Sequence, residues 1–365
     1  MSDTPAVQAG SPARADSAAP AGPGDFTPAF NLEGRDHRRT KVLVLGVFAI
    51  VCFAVGLMIG AVPLSLPDLL RGSATPLEAM VFAEIRSPRV VLAACVGAVL
   101  GLAGASLQGL FRNPLADPGL IGVSAGAALG AVAMIVLGEN LGAPEYLTPY
   151  LLPLAAVAGA LAVTGFLYSF ASWFGRFSIV TLLLVGIAVN ALSTVGIGAF
   201  EYLADDRQLR SLVFWMMGSF GRANWAAAIP AVAFMLTAML VLLTQSRALD
   251  KLQLGEADAA YLGVDVRRLK RLVILASAIA VGAGVALSGM IGFVGLVVPH
   301  LVRLLIGASH RFLLPGAALL GAGLMISADL VARTIIVPAE LPVSLVTSAI
   351  GAPFFLWLVA RVRPA

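Results

Sequence analysis

The stretch RNPLADPGLIGVSAG, residues 112–126, separates two long apolar segments with a polar turn that contains two prolines. Pro114 and Pro118 disfavour a continuous helix, so the preceding helix is predicted to end near Phe111. Asp117 stands immediately before Pro118, an order in which the carboxylate caps a new helix and the proline takes its first position. The stretch therefore predicts a helical hairpin whose turn contains Arg112, Asn113, Pro114 and Asp117.

Apolar segments of this kind make up most of the chain. Its 365 residues are 59% hydrophobic and only 12% charged, whereas soluble domains carry about 25% charged residues. Most of the surface therefore does not face water, and the fold class predicted is an all-α polytopic membrane protein. The net charge of +4 is attributed to basic residues that hold loops on the cytoplasmic side, and binding to nucleic acid is not expected.

The first 40 residues differ in composition from the rest of the chain. Residues 1–40 are rich in Ala, Pro, Gly, Ser and Asp, and they contain no apolar segment followed by a cleavage site. A removable signal peptide is therefore not expected, and residues 1–40 are predicted to form a disordered cytoplasmic tail. Residues 41–363 are predicted to form the membrane domain.

Long uncharged segments predict the number of membrane passes. Nine segments contain no Asp, Glu, Lys or Arg, at 42–67, 90–111, 118–138, 146–175, 177–200, 223–246, 272–302, 312–328 and 341–360. The segment 272–302 is too long for one pass, because its 31 residues would extend roughly 46 Å as a helix. It contains the glycine-rich sequence SGMIGFVG at 288–295. We divide it there into passes at about 270–287 and 294–308, which gives ten.

The distribution of basic residues supports an even number of passes. With ten passes and a cytoplasmic N-terminus, 17 of the 24 Lys and Arg lie inside, and both termini, which are basic, are cytoplasmic. The chain is therefore placed in the cytoplasmic (inner) membrane. GAVLGLAG at 97–104 resembles GAGVALSG at 282–289. These segments lie on passes of opposite direction, which favours inverted-repeat-like halves.

Several function classes can be compared from the residues alone. None of the three lysines follows glycine or precedes Ser or Thr, so the chain has no phosphate-binding loop of its own. Few ionisable groups lie in mid-membrane, which disfavours an ion-coupled carrier. GVSAG at 122–126 matches a nucleophile elbow with Ser124 as nucleophile, and an intramembrane serine hydrolase stays an alternative although that motif requires a strand and a histidine partner. A translocation pore that takes its energy from another chain is favoured.

The longest inner connection, residues 245–271, is a candidate docking segment. LQLGEADAAYLGV, at 252–264, predicts a short helix with an apolar side formed by Leu252, Leu254, Ala259 and Leu262. The alternative is a surface helix on lipid headgroups, against which its acidic residues Glu256 and Asp258 argue mildly.

Seven segments in order carry a family resemblance: RSPRVVLAACVGAVLGLAG (86–104), QGLFRNPLADPGLIGVSAGA (108–127), WMMGSF (215–220), LGEADAAYLGV (254–264), GFVGLVVPHLVRLLIGASHRFLLP (292–315), ADLVAR (328–333) and ELPVSLVTSAIGAPFFLWL (340–358). Together they resemble the FecCD-type permease subunits of ABC importers for iron-siderophores, haem or cobalamin, over about residues 41–363.

The resemblance implies ten helices per subunit and a homodimer with the pathway on its two-fold axis, in contact with membrane lipid. It also implies two copies of a cytoplasmic ATP-binding subunit and a periplasmic or lipid-anchored substrate-binding protein. An iron chelate, either a ferric siderophore or haem, is the favoured substrate, and cobalamin is the alternative. No catalytic residue, resident cofactor or metal site is expected.

The resemblance also assigns roles to residues of this chain. Arginines at the predicted outer boundary are expected to dock the binding protein, namely Arg86, Arg89 and Arg333. The ATPase-coupling residues are expected to be Leu254, Gly255, Glu256, Ala259, Leu262 and Gly263. Residues that line or gate the pathway are expected to be Gln108, Ser124, Gly126, Ser288 and Gly289.

Overall fold

The computed structural model describes residues 32–60, 62–144, 146–173 and 179–361, and this part of the chain contains helices and turns but no strand. Its α-helices are α1 (Leu32–Met58), α2 (Leu66–Arg71), α3 (Pro76–Met80), α4 (Ser87–Phe111), α5 (Val123–Leu137), α6 (Thr148–Trp173), α7 (Ile179–Leu203), α8 (Asp206–Met216), α9 (Trp225–Thr244), α10 (Ser246–Leu252), α11 (Glu256–Tyr261), α12 (Val266–Ser288), α13 (Val294–Ile306), α14 (His310–Thr334) and α15 (Val343–Arg361). A π-helical turn (Val81–Arg86) precedes α4, and 3-10 turns (Pro118–Ile121 and Gly138–Leu141) flank α5.

Seven helical segments of the described chain are long and apolar enough to cross a membrane. They are His37–Met58, Pro76–Phe111, Tyr150–Phe170, Leu184–Leu203, Trp225–Thr244, Val266–Ser288 and His310–Thr334. The remaining three predicted passes correspond to shorter apolar helices, Val123–Leu137, Val294–Ile306 and Val343–Trp357. The structure thus confirms a polytopic helical protein, and by length it confirms seven of the ten passes.

The helix α4 lies at the centre of the bundle. In the segment Pro76–Phe111, which contains α4, 83% of an apolar stretch of 18 residues is buried inside the protein. In the segment His37–Met58 of α1, the corresponding share is 11%. The helix α4 packs against α14, α12, α13 and α9. Small residues make this position possible, because glycine and alanine allow neighbouring helices to approach closely on several sides of one helix.

Glycines at two helix crossings bring backbones into direct contact. A Cβ atom added to Gly97 of α4 would lie 2.2 Å from the carbonyl oxygen of Gly321 in α14, and one added to Gly321 would lie 2.2 Å from that of Gly97. Gly126 of α5 and Gly159 of α6 form a second such pair, at 2.5 Å and 2.1 Å. No side chain larger than hydrogen fits at either crossing without separating the helices.

The turn predicted between the two helices is present, but the hairpin is not, because α5 packs mainly against α6, α7 and α12 and not along α4. The helix α4 ends at Phe111, and Arg112 takes the left-handed conformation with φ 51°. The Asp117 carboxylate accepts a hydrogen bond of 2.7 Å from the Gly119 N–H and caps the 3-10 turn that Pro118 begins. Burial raises the pKa of Asp117 above its ordinary value, and the Gly119 hydrogen bond opposes this shift.

The long apolar segment at 272–302 is divided where its glycines predicted. The helix α12 ends at Ser288, and α13 begins at Val294. Gly289 has a φ of 70°, and an added Cβ atom there would lie 2.1 Å from the carbonyl oxygen of Trp215. The chain therefore reverses at a position that requires glycine for both its conformation and its close contact.

The first helix begins within the segment predicted to be the tail. The helix α1 begins at Leu32, so residues 32–40 are helical and continuous with the first pass. Their sequence, LEGRDHRRT, contains Leu, Glu and Arg, which favour helix, and these residues extend the apolar helix that follows. The rest of the predicted tail, residues 1–31, lies outside the described residues.

The crossing of α4 and α14 predicts a difference between two glycine-to-alanine substitutions. Gly97→Ala should lower the thermal midpoint of the detergent-solubilised protein, because overpacking costs about 1–3 kcal/mol. Gly165→Ala in α6 is the matched control, since no atom lies within 4 Å of its added Cβ atom. It should leave the midpoint unchanged or raise it slightly, because alanine favours helix. Equal midpoints for the two variants would contradict the close crossing.

Candidate functional site

The three arginines predicted at the outer boundary lie together in one polar cluster. Arg86 ends the π-helical turn, Arg89 lies in the first turn of α4, and Arg333 lies in the last turn of α14. Two acidic residues join them, Asp329 from α14 and Glu340 from the connection to α15. We call these five residues the arginine cluster.

Arg89 is held by both carboxylates of the arginine cluster. Its Nε and Nη2 atoms donate to the Asp329 carboxylate at 2.9–3.0 Å, and its Nη1 atom donates to Glu340 at 2.7 Å. Asp329 is buried, whereas the Glu340 side chain is 42% exposed. A bidentate pair with a carboxylate fixes the plane of the guanidinium group, so the orientation of Arg89 depends on Asp329.

Arg86 and Arg333 bind mainly to backbone carbonyl groups. Arg86 Nη1 donates to the carbonyl oxygens of Leu57 and Met58 in the last turn of α1, at 3.2 Å and 2.7 Å, and its Nη2 atom donates to that of Val62. Arg333 Nη2 donates to the carbonyl oxygen of Gly56. Carbonyl groups at the end of a helix have no partner within the helix, so these arginines satisfy them and join α1 to the bundle.

The docking role of these arginines stays a prediction, and the structure shows how they are held. Arg86, Arg89 and Arg333 are only 4%, 6% and 6% exposed, and each is bonded within the chain. Asp329 and Glu340 were not among the residues predicted from the sequence to form the site. The spacing of Asp329 and Arg333, four residues apart on one helix, was a signal for the first of these acids.

A cavity beside the arginine cluster contains two of the residues expected on the pathway, Ser288 and Gly289. Glu340 also lines this cavity, so one carboxylate faces both the cavity and Arg89. The Ser288 hydroxyl donates to the carbonyl oxygen of Gly284 and is buried. The other lining residues are Phe214, Trp215, Ser219, Arg222, Leu287, Leu341 and Pro342.

Gln108 and Gly126, also expected on the pathway, lie inside the helix bundle. Gln108 is 2% exposed, and its side chain accepts a hydrogen bond of 3.1 Å from Arg303 Nη2. Gly126 forms the crossing with Gly159. In this conformation both residues lie at contacts between helices and do not line an open cavity. Closely packed helices need a small residue or a paired polar group at the contact, and Gly126 and Gln108 meet these two needs. Ser124 is half-buried on α5.

Within the predicted coupling segment at 252–264 the structure has one short helix, α11, which is shorter than the predicted helix and follows α10. The helix α10 ends at Leu252, and α11 begins at Glu256. Gly255, with a φ of 125°, separates them, and Gly263, with a φ of 83°, follows α11. Positive φ values of this size interrupt a right-handed helix and favour glycine.

The predicted apolar side of this segment is also divided. Leu252 and Ala259 are buried against the chain, whereas Leu254, Tyr261 and Leu262 are 64%, 92% and 48% exposed. Glu256 is not free for a partner, because its carboxylate accepts hydrogen bonds of 2.7 Å and 2.8 Å from Lys270. Leu254, Tyr261 and Leu262 thus form the exposed apolar part of this segment, and the exposed polar residues Gln253 and Asp258 belong to the same surface.

Polar contacts hold α10 against the C-terminal end of α4 and the N-terminal end of α14. The Asp250 carboxylate lies 2.8 Å from His310 Nδ1 and accepts a hydrogen bond of 2.7 Å from the His310 backbone N–H. Gln253 Nε2 donates to the carbonyl oxygen of Gly109 at 2.8 Å. Burial would raise the pKa of Asp250, but the hydrogen bonds from His310 outweigh it, and the pKa lies below its ordinary value.

The arrangement of these helices and of the two clusters can be compared with known proteins. The model of the FecCD transport family matches residues 48–361 of the chain. The chain belongs to the FecCD transport family. The match covers α1 from Phe48 onward and every later helix named above, and thus includes both the arginine cluster and the segment formed by α10 and α11.

Individual relatives agree with this assignment. The chain is 45% identical to the hemin transport system permease protein HmuU of Yersinia pestis, over 91% of this chain and 98% of that protein. It is 44% identical to the vitamin B12 import system permease protein BtuC of Vibrio cholerae, over 92% and 98%. A solved ABC transporter in an inward-facing conformation has a TM-score of 0.78 and 37% identity, and the similarity covers 88% of this chain and 99% of that one.

These relatives decide between the classes of function left open by the sequence. They are permease subunits and not enzymes, so this chain is a multi-pass membrane permease. The nucleophile interpretation of Ser124 is therefore rejected.

Proposed function

We propose that the chain forms the translocation pathway of an ABC importer for an iron chelate, either haem or a ferric siderophore. The observation that carries this proposal is the 45% identity to a hemin permease along almost its whole length. The similar identity of 44% to a vitamin B12 permease favours cobalamin as the second candidate. All of these substrates are bulky, and the small residues at the helix crossings suit a pathway whose width changes.

The proposed assembly contains two copies of this chain, two copies of a cytoplasmic ATP-binding subunit, and a periplasmic or lipid-anchored binding protein. In this proposal all ten apolar helices cross the inner membrane, with both termini in the cytoplasm. The excess of Lys and Arg in the connections assigned to the cytoplasm supports this orientation. The sequence has no phosphate-binding loop, so the energy for transport must come from another subunit.

Helix packing supports the proposal of inverted-repeat-like halves. The helix α4 packs against α13 and α14, and the corresponding helix α12 packs against α5 and α6. Each helix of the matched pair thus contacts two helices from the opposite half. A crossed arrangement of this kind is typical of two repeats that pack face to face around a shared axis.

Transport by the reconstituted complex tests the substrate. Proteoliposomes that contain the chain and its ATP-binding subunit should take up haem or a ferric siderophore from a loaded binding protein, with ATP hydrolysis stimulated at the same time. Cobalamin in the same assay is the matched control and should not be taken up. Uptake of cobalamin alone would establish the alternative substrate. Uptake that requires an ion gradient and no ATP would contradict the proposed mechanism.

The binding protein is proposed to dock at the arginine cluster through Arg86, Arg89 and Arg333. The cluster holds three guanidinium groups and two carboxylates, an excess of one positive charge per chain. Glu340 is half-exposed and bonded to Arg89 Nη1. A carboxylate on an incoming protein could replace Glu340 there, while Asp329 continues to hold the other side of the guanidinium group.

Neutral substitutions provide a docking test when the stability of the variant is measured beside it. Arg86→Gln with Arg333→Gln removes two positive charges, but glutamine is shorter and has only two N–H donors, so some of the four carbonyls lose their partner and the thermal midpoint should fall. Affinity for the binding protein should fall about fivefold or more and become less sensitive to salt, because charge pairs between proteins are screened. The measurement is a titration of detergent-solubilised complex with binding protein.

Arg207→Gln with Arg210→Gln is the matched control for docking, because both arginines are exposed on α8 and lie on the same predicted side. The control should keep its affinity for the binding protein. An equal loss in both double variants would mean that general surface charge, and not the arginine cluster, attracts the partner.

The ATP-binding subunit is proposed to dock at α10 and α11, through the segment that contains Leu254, Gly255, Glu256, Ala259, Leu262 and Gly263. The exposed apolar groups Leu254, Tyr261 and Leu262 supply a contact surface. The ion pair with Lys270 and the two glycines fix the shape of the segment. Glu256 thus has a supporting position in this proposal, and its substitution alone would disturb the segment even without a partner.

Charged substitutions at the exposed leucines test the coupling surface. Leu254→Arg with Leu262→Arg should reduce co-purification of the ATP-binding subunit about tenfold or more, because desolvated apolar contacts dominate the centre of most interfaces. Ile335→Arg with Ile336→Arg is the control, since both isoleucines are exposed at the opposite end of the molecule. If the subunit remained bound to the leucine variant with unchanged ATP hydrolysis and transport, the docking assignment would be wrong.

A further inference from the structure

A second cavity, of about 460 Å³, lies where α9 ends and α12 begins. Its wall carries three basic side chains, Arg247, Lys251 and Arg268, and one acidic side chain, Asp265. The remaining lining residues are Thr244, Gln245, Ala248, Gly263, Val264, Leu269 and Leu272. None of the five residues of the arginine cluster lines this cavity. Its volume is within the range of about 300–1,000 Å³ that is usual for small-molecule sites.

The charges in this cavity are unbalanced. Asp265 caps α12, because its carboxylate accepts a hydrogen bond of 2.9 Å from the Arg268 backbone N–H. Lys251 Nζ donates to the carbonyl oxygen of Leu262 at 2.9 Å. Arg247 and Arg268 are exposed, and neither forms an ion pair with any residue in the described part of the chain. Three cations and one anion leave an excess of two positive charges, which favours an anionic ligand.

An apolar seam continues from the cavity along both helices. On α9, Leu240 and Leu236 lie one and two turns before Thr244, and they are 65% and 47% exposed. On α12, Leu275 and Ile279 follow Leu272 on the same face, and each is 37% exposed. The two helices pack against each other, and each is long and apolar enough to cross a membrane. The ligand that fits this surface therefore has an anionic end and a long apolar part.

We propose that this cavity and seam bind one anionic phospholipid of the inner leaflet. The phosphate headgroup lies between Arg247 and Arg268, and the acyl chains lie against Leu240 of α9 and Ile279 of α12. Basic pockets between membrane helices on the cytoplasmic side are a known form of headgroup recognition. The proposal rests on the proposed orientation of the chain, in which residues 245–271 are cytoplasmic.

The position of the cavity gives the bound lipid a structural consequence. Lys251 of α10 and Gly263, after α11, both line the cavity, so the headgroup would contact each end of the segment proposed to dock the ATP-binding subunit. An anionic headgroup beside these cations would reduce their mutual repulsion. The lipid would therefore stabilise this segment in the position that the structure shows.

Native mass spectrometry of the full chain in detergent tests the site, with dioleoyl phosphatidylglycerol as the probe and dioleoyl phosphatidylcholine as the neutral comparison. The chain should retain phosphatidylglycerol preferentially. Arg247→Gln with Arg268→Gln should weaken its binding about 25-fold, because each of the two basic residues near an anionic lipid contributes a factor of roughly five. Both side chains are exposed and without ion pairs, so the variant should fold, and its thermal midpoint without added lipid should stay unchanged.

Arg207→Gln with Arg210→Gln is the control for lipid binding, since it removes the same charge from exposed arginines on α8 and should retain phosphatidylglycerol like the unmodified chain. Dihexanoyl phosphatidylglycerol should bind more weakly than the dioleoyl form if the seam holds acyl chains. Equal losses in the two double variants, or no preference for the anionic lipid, would overturn the proposal.

Two further outcomes identify a different ligand. If excess inorganic phosphate displaces phosphatidylglycerol completely, or if the dihexanoyl and dioleoyl forms bind equally, the cavity is a site for a soluble anion. If Arg247→Gln with Arg268→Gln keeps the lipid but loses the ATP-binding subunit, the cavity is a protein contact. Lipid binding in detergent is measured without transport and without a defined membrane orientation, so failure of the proposed function leaves this test intact.

Discussion

Contact between α4 and α14 determines the arrangement of most other elements. At one end of this pair, Arg89 and Asp329 form a buried bidentate ion pair. In the middle, Gly97 and Gly321 bring the two backbones together. Near the other end, the His310 ring lies so close to Gly109 that an added Cβ atom would come within 2.2 Å of its Nε2 atom. Ion pairing, backbone contact and ring packing thus fix the relative position of two helices along their full length.

The same two helices connect the two candidate partner surfaces. The arginine cluster contains the beginning of α4 and the end of α14, while Asp250 and Gln253 of α10 bind the opposite ends of these helices. The two candidate partner surfaces are therefore connected through packed and hydrogen-bonded contacts of one helix pair.

Buried charge is concentrated at positions with a specific partner. Arg89 has Asp329 and Glu340, Lys270 has Glu256, and Gln108 accepts from Arg303. Desolvation of an unpaired charge in a protein interior is costly, so each of these groups needs its partner in place before the helices can pack. Arg247 and Arg268 are exposed and have no acidic partner in the described chain, and they line one cavity together with Lys251, apart from the arginine cluster.

The sequence by itself determined which segments are helical and where several of them end. Pro114, Pro118 and Asp117 located one turn, and the glycines after Ser288 located another, because these residues restrict or release the backbone locally. The family motifs also located the arginines and the coupling segment. Only the tertiary structure decided that Arg86, Arg89 and Arg333 are buried, that Glu256 is paired with Lys270, and that Gln108 and Gly126 lie inside the bundle. Burial and pairing depend on residues up to 277 positions apart, as for Gly56 and Arg333, and such contacts leave no local pattern in the sequence.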